Sequence, residues 1–321
     1  MTPFRPGSVP IREAVAVLKR GGLVAFPTET VYGLGADASN PAAVERIYRV
    51  KGRPASHPVI VHIGDAVQLE RWARNIPEHA RKLAARFWPG PLTLVLKRAP
   101  GVGDELTGGE DTIGLRVPGH PVALELLRRF GGGIAAPSAN KFGRISPTTA
   151  EHVRNDLGDE VDLILDGGPC EIGIESTIID LSRDRPILLR PGRVSTEGIT
   201  TTLGATPEPR ARSAPRAPGT LESHYAPRHS LTLILSGQWD ETLRAASPRR
   251  AVLCFHARPV GERCAMWIRA STDPQLYARD LYSNLRALDA TGCDEILVEE
   301  PPASAEWAAV RDRLARAHAR R

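Results

Sequence analysis

Short apolar runs recur along the first 190 positions, and segments with helical patterning stand between them. The runs are residues 23–26, "HPVIVHI" (57–63), "LTLVLK" (92–97), "TIGLRV" (112–117), "GGIAAP" (132–137) and "VDLILD" (161–166). "STIIDL" (176–181) and "PILLR" (186–190) read as a closing hairpin. Residues 11–20 form an amphipathic helical pattern stopped by Gly21 and Gly22. Asn40 before Pro41 is a helix start, a capping side chain followed by proline at the first helical position, and that helix runs to about Lys51. Further helices are expected near 65–74 and 77–87. Strands mixed with helices in this way predict an α/β domain around a sheet of mixed direction.

Residues 204–229, "GATPEPRARSAPRAPGTLESHYAPRH", change the pattern. Their Pro, Ala and Arg content reads as a linker. Beyond it, "LTLILSG" (231–237), "RAVLCFHA" (250–257), "AMWIRA" (265–270) and "DEILVEE" (294–300) alternate with helical stretches near 239–246, 274–290 and 304–319. That is a small Rossmann-like or flavodoxin-like α/β unit. The expected organisation is therefore 1–203, a linker at 204–229, and 230–321.

Composition narrows the class. Apolar residues make up 41% and charged residues 25%, as in globular proteins. No apolar run is long enough to span a membrane and no signal-like stretch opens the chain, so a cytoplasmic protein with no membrane contact is expected. The four cysteines, Cys170, Cys254, Cys264 and Cys293, form no CxxC pair. Neither a zinc site nor a disulfide framework is expected, and no metal-ligating set stands out. The net charge of +5 suits a nucleotide or RNA partner, but basic tails at 210–228 and 311–321 account for it equally well.

Three segments look chemical, and a smaller stretch joins them. "VAFPTETVYGLG" (24–35) leaves a buried strand through Thr28, Glu29 and Thr30. Two readings stand: hydroxyls offered to a cleft at a strand end, with Gly33 and Gly35 bending the backbone near a ligand, or a loop whose side chains satisfy local backbone groups. The loose GxGxxA match at 33–38 lacks the strand-to-helix context of a dinucleotide site. "KGRPASHP" (51–58) puts Lys51 and Arg53 at a helix exit. The helix dipole explains cations there, and so does a triphosphate clamp. His62 lies among apolar neighbours, either a sheet residue or a base. "IAAPSANKFGRISPTTAEHV" (134–153) carries Ser138 and Asn140 past a strand end, then Ser146-Pro147 as the expected start of a helix and a possible phosphate-binding N-terminus. In "DTIGLRVPGHP" (111–121), Thr112 and Arg116 share one strand face. The pattern does not decide whether Arg116 points into a cleft or to solvent.

"FPTETVYGLG", "KGRP", "HPVIVHI", "WPGPLTLVL", "DTIGLRVPGHP", "APSAN…SPT", "GIESTIID", "LLRPG" and "HYAP" occur together and in order. In this the chain resembles the threonylcarbamoyl-AMP synthases, the YrdC-like family, over roughly residues 8–229. Beyond the linker the layout is similar to the extension of the long form. The resemblance implies a YrdC-like twisted mixed-sheet domain with flanking helices, plus a small Rossmann-like C-terminal domain. It implies a nucleotidyltransferase that joins L-threonine, bicarbonate and ATP into threonylcarbamoyl-adenylate, with release of pyrophosphate and water. A tRNA threonylcarbamoyl-transferase complex would then modify adenosine 37 of tRNA. Mg²⁺ is expected with the ATP, and no tightly bound organic cofactor.

Carried over by position, the resemblance assigns threonine binding to Thr30, His62, Arg116, the Ala136 backbone and Ser176. It assigns ATP binding to Lys51, Arg53, His57, Thr112, Ser138, Ser146, Arg190 and Tyr225, with Asn140 in the same serine–asparagine motif. Lys51 and Arg53 are also the expected catalytic cations. The family often has asparagine where His57 stands. Tyr225, in the linker, is expected to act as part of a lid over the nucleotide. Two alternatives belong to other classes: an RNA-binding module without synthase activity, with weak RNA contact, and the carbamoyl-adenylate module of hydrogenase-maturation proteins. The missing CxxC pairs and the short chain disfavour the second.

Overall fold

The computed structural model describes residues 10–211, 214–219, 223–239 and 249–319. Two compact units are present, one of residues 1–142 and 147–220, the other of 143–146 and 221–321.

The first unit is built on one ten-stranded mixed sheet. Its strands are β1 Val24–Phe26, β2 Gly33–Asp37, β3 Ile60–His62, β4 Leu92–Lys97, β5 Thr112–Arg116, β6 Ile134–Ala135, β7 Leu163–Ile164, β8 Thr177–Asp180, β9 Ile187–Arg190 and β10 Glu208–Pro209. They lie in the order β10-β9-β8-β4-β5-β3-β6-β2-β1-β7. The sheet buries both faces. The helix Ile11–Lys19 turns Ile11, Ala14, Val17 and Leu18 inward, where they join Val24, Phe26, Ile134 and the helix Pro121–Phe130. A larger cluster includes Val44 and Ile47 of the helix Pro41–Lys51, together with Leu34, Val61, Leu94 and Leu115. The expected α/β class with a mixed sheet is borne out.

Two local expectations are corrected. Gly33 and Gly35 do not bend the chain; they lie inside β2, which pairs antiparallel with β1 in the register Val24↔Gly35 and Phe26↔Gly33. A Cβ on Gly35 would stand 2.8 Å from both Ile134 Cγ2 and Phe26 Cε1, and 3.1 Å from the Val24 carbonyl. Glycine is needed there for close packing. Gly35→Ala is expected to destabilise the protein by about 1–3 kcal/mol through overpacking, read as a lowered melting temperature. Secondly, the helix expected at Ser146-Pro147 starts at Ala150, with the Thr149 hydroxyl accepting from the His152 amide. The preceding residues are committed elsewhere, since the Pro147 carbonyl accepts from Tyr32 N at 2.9 Å and the Thr148 carbonyl from Cys170 N at 2.9 Å.

The first part of the expected linker is packed structure. Glu208–Pro209 pairs parallel with β9. Ala214 and Ala217 are buried with Ile60, Val95, Ile178 and Leu189, and Arg216 Nε reaches Glu110 Oε1 at 2.6 Å.

The second unit carries a four-stranded parallel sheet: β11 Ser230–Ile234, β12 Arg250–Cys254, β13 Met266–Arg269 and β14 Glu295–Glu299, ordered β11-β14-β12-β13. Its longest described helix, Pro274–Asp289, is capped by Asp273, whose carboxylate accepts from Gln275 N and Leu276 N. The expected helix near 239–246 lies almost wholly outside the described residues. Among the described residues, no helix is long and apolar enough to cross a membrane.

Candidate active site

The sheet brings the sequence-distant candidates of the first unit into a few connected groups. Parallel pairing of β3 with β5 sets His62 directly beside Arg116. β1 ends at Phe26, and the chain turns through Thr28 to Thr30. Thr28 Oγ1 donates to the Val31 carbonyl at 2.6 Å and accepts from Thr30 N and Val31 N, each at 3.2 Å. Thr28 therefore satisfies the local backbone, and its neighbours are turned toward β5.

Arg116 points inward and is 3% exposed. Each of its side-chain nitrogens is placed. Nε donates to the Gly90 carbonyl at 3.1 Å, Nη1 to Thr30 Oγ1 at 3.0 Å and Nη2 to Glu29 Oε1 at 2.6 Å. Glu29 Oε2 accepts from Gly119 N at 2.9 Å. His62 is also buried, edge-on to the Phe26 ring with centroids 6.0 Å apart. Its Nδ1 has no hydrogen-bond partner among the described residues, an orphaned atom of the kind a ligand satisfies. Burial, and then the Arg116 charge, push its pKa down to about 3, so the imidazole is neutral at physiological pH.

That shift has a stability consequence. The unfolded chain takes up a proton as pH falls below the ordinary histidine value of 6.5, while the native site stays neutral to about 3. The contribution of His62 is complete above pH 6.5 and is lost progressively between 6.5 and 3, by no more than about 5 kcal/mol. His62→Asn should flatten the slope of unfolding free energy against pH in that window, measured by denaturant titration. An unchanged slope would refute the neutral, buried assignment.

A second group forms at the start of β8. Ser176 Oγ lies 2.8 Å from Thr93 Oγ1 and accepts from Arg190 Nη2 at 3.2 Å. Arg190 Nε donates to the Ser176 carbonyl at 3.1 Å and Nη1 to the Pro218 carbonyl at 2.8 Å. Thr93 and Thr112 line one small cavity with Ile60, Gly114, Arg216 and Pro218. Thr93 escaped the sequence reading. Its signal was a polar residue in an otherwise apolar central strand, "LTLVL".

A third group surrounds the helix exit at Gly52, which takes φ +62° as the left-handed cap. Lys51 is buried, and its Nζ donates to the carbonyls of Ser138 at 2.6 Å and Asn140 at 2.5 Å. Burial, then the Arg53 charge, lower its pKa well below the ordinary lysine value. Arg53 Nη2 donates to the Pro58 carbonyl at 2.8 Å and its Nε to the His57 carbonyl at 3.3 Å. The guanidinium stands 5.5 Å from the Phe142 ring centroid. His57 meets the same ring edge-on, and burial followed by Arg53 lowers its pKa. The Ala136 amide donates to the Ile60 carbonyl at 2.9 Å, so a ligand held by the Ala136 backbone would meet its carbonyl. Main-chain pairing of Gly33 with Ser138 links this group to the β1–β2 turn.

Ser146 and Tyr225 belong to the second unit. Ser146 is fully buried, and Arg286 Nη2 donates to the neighbouring Ile145 carbonyl at 2.5 Å. Tyr225 has φ +61° and is 1% exposed. Its ring lies against His224, Tyr282 and the Arg313 guanidinium. Among the described residues, no group of three or more His, Cys, Asp or Glu side chains could hold a metal ion.

Comparison with known proteins adds an independent line. Residues 16–192 match the Sua5/YciO/YrdC family, described as "Telomere recombination", and residues 194–319 match "Threonylcarbamoyl-AMP synthase, C-terminal domain". The chain is 42% identical over 319 residues to a threonylcarbamoyl-AMP synthase of Pyrococcus abyssi, covering 96% of this chain and 93% of the relative. It is 40% identical over 320 residues to one of Bacillus subtilis, covering 96% and 92%. The crystal structure of P. abyssi Sua5 complexed with L-threonine superimposes with a TM-score of 0.88 at 39% identity, over 96% of this chain and 94% of that one.

Proposed function

This chain belongs to the threonylcarbamoyl-AMP synthase family in its long form, and we propose that it condenses L-threonine, bicarbonate and ATP into threonylcarbamoyl-adenylate, releasing pyrophosphate and water. One observation carries the proposal most strongly: a buried arginine, Arg116, faces the Thr30 hydroxyl and lies beside a neutral histidine with an unused nitrogen. An amino acid's carboxylate, hydroxyl and amine need such partners.

In this reading Arg116 neutralises the threonine carboxylate, and Thr30 and Ser176 supply hydrogen bonds. His62 offers a neutral nitrogen, and the Ala136 carbonyl accepts from the amine. The amine captures carbon dioxide or bicarbonate as a carbamate, whose oxygen attacks the α-phosphate of ATP as pyrophosphate leaves. Lys51, Arg53, His57, Thr112, Ser138, Asn140 and Arg190 are the proposed nucleotide ligands of the first unit; for Ser146 and Tyr225 the family resemblance alone suggests the role. An ammonium has three donors. Lys51 uses two on the Ser138 and Asn140 carbonyls, which leaves the third for a phosphate. With no protein nucleophile required, positioning and preorganised charge supply the rate enhancement. Mg²⁺ would enter as part of the nucleotide substrate, held chiefly by the phosphates, as is usual where a protein offers no carboxylate cage. The product would feed a transferase that modifies adenosine 37 of tRNA.

The test is pyrophosphate release from ATP by the purified protein. Release that requires both threonine and bicarbonate is expected. Salt-dependent RNA binding without such turnover would instead select the RNA-binding alternative. Serine, which lacks the methyl group, should be used about 10–200-fold less efficiently than threonine in kcat/KM, the range one missing methyl supports. Equal use of the two amino acids would mean that the methyl makes no contact.

A further inference from the structure

Glu29 has no role in the residue assignments above, yet it occupies the centre of the threonine group. It is 7% exposed. Both of its oxygens are taken, one by Arg116 Nη2 at 2.6 Å and the other by Gly119 N at 2.9 Å. Its own carbonyl accepts from Ile172 N at 2.8 Å. One residue thus ties the exit of β1 to the exit of β5 and to the loop before β8. Arg116 sits at the end of a long, flexible stem. Without Glu29 its guanidinium would keep Gly90 and Thr30 as partners on Nε and Nη1, and Nη2 would lose its placed acceptor.

We propose that Glu29 is a positioning residue for threonine binding, holding the Arg116 fork in the orientation that receives the substrate carboxylate. The proposal rests on the reading of Arg116 as the carboxylate ligand. Its physical content is geometric. A carboxylate gripped at both oxygens is a fixed anchor, and an arginine aimed before the substrate arrives need not be ordered by it. Net charge alone would act in the opposite sense, because an anion beside Arg116 weakens its attraction for a second carboxylate. The two effects therefore predict opposite signs.

The experiment is steady-state kinetics on Glu29→Ala, Glu29→Gln and Glu29→Asp, with KM for threonine and KM for ATP measured separately. KM does not depend on the fraction of enzyme folded, so a less stable variant remains informative. Glu29→Ala should raise KM for threonine by at least tenfold and leave KM for ATP within twofold. Glu29→Gln keeps one acceptor oxygen but sets an amide NH₂ against a neighbouring donor, so it should fall between alanine and wild type. Glu29→Asp keeps the charge but is one methylene shorter, and it should also raise KM for threonine. A lower threonine KM in Glu29→Ala, a wild-type value in Glu29→Asp, or equal rises for both substrates would overturn the proposal. Arg116→Lys is the companion variant. If it leaves KM for threonine unchanged, the reading of Arg116 fails and the role of Glu29 falls with it. If it raises that KM while the Glu29 variants do not, only the inference about Glu29 is lost.

Discussion

Arg116→Ala should lower kcat/KM for threonine by about 10²–10³-fold, with KM for ATP changed far less. The guanidinium is the buried cation among the proposed threonine ligands, and its three placed nitrogens leave it little freedom to be replaced by water. Charge-assisted hydrogen bonds to a substrate carboxylate contribute about 1.5–3 kcal/mol each, and a bidentate pair accounts for the predicted range. The same substitution has a second readout. It strands the Glu29 carboxylate, which is 7% exposed and keeps only the Gly119 amide among its described partners. Breaking a buried ion pair from one side costs about 3–5 kcal/mol. Arg116→Ala combined with Glu29→Gln should recover part of that stability, because the uncompensated charge is gone, yet recover no threonine affinity. Chemical denaturation of the single and double variants measures the first effect and titration calorimetry with threonine the second. A double variant as unstable as the sum of the singles would refute the coupling.

The second large effect is expected at Lys51→Met. Methionine has nearly the volume of lysine without its charge, so packing is kept while the Ser138 and Asn140 carbonyls each lose the hydrogen bond from Lys51. Each hydrogen bond lost from a buried cation costs about 1.5–3 kcal/mol, partly offset because the Ser138 carbonyl keeps the Asn140 amide at 3.0 Å and because no ammonium must then be desolvated. The chain from Ser138 to Asn140 is expected to shift, and with it the proposed nucleotide contacts. KM for ATP should rise roughly 10–100-fold, about 1.4–2.8 kcal/mol at tenfold per 1.4 kcal/mol. A variant that keeps wild-type ATP affinity and loses only stability would restrict Lys51 to a structural role.

Periodicity carried much of the fold. The helix from Pro41 to Lys51, the hairpin of β8 with β9 and the parallel strands of the second unit all lie where the sequence pattern predicts them. β2 did not show itself, because "GLGAD" has neither bulky alternation nor β-branched residues. It is a strand because its backbone pairs antiparallel with β1 on one side and β6 on the other, and Gly35 is glycine because Phe26 and Ile134 leave no room there for a side chain. Ser146 looked like a helix cap because serine before proline is a good local signal. Thr149 took that place once Pro147 and Thr148 were committed to Tyr32 and Cys170.

What the chain determined by itself was local: apolar runs, caps, turns, and which residue types carry charge and hydroxyl groups. Those depend on neighbours a few positions apart. The direction of Arg116, the neutral state of His62 and the anchoring of Glu29 depend on groups 26 to 90 residues away in sequence. Only the assembled sheet and the elements packed on it exclude water from them, and without water each polar atom must find a protein partner or a ligand. That requirement decides orientation and ionisation, and no local pattern contains it.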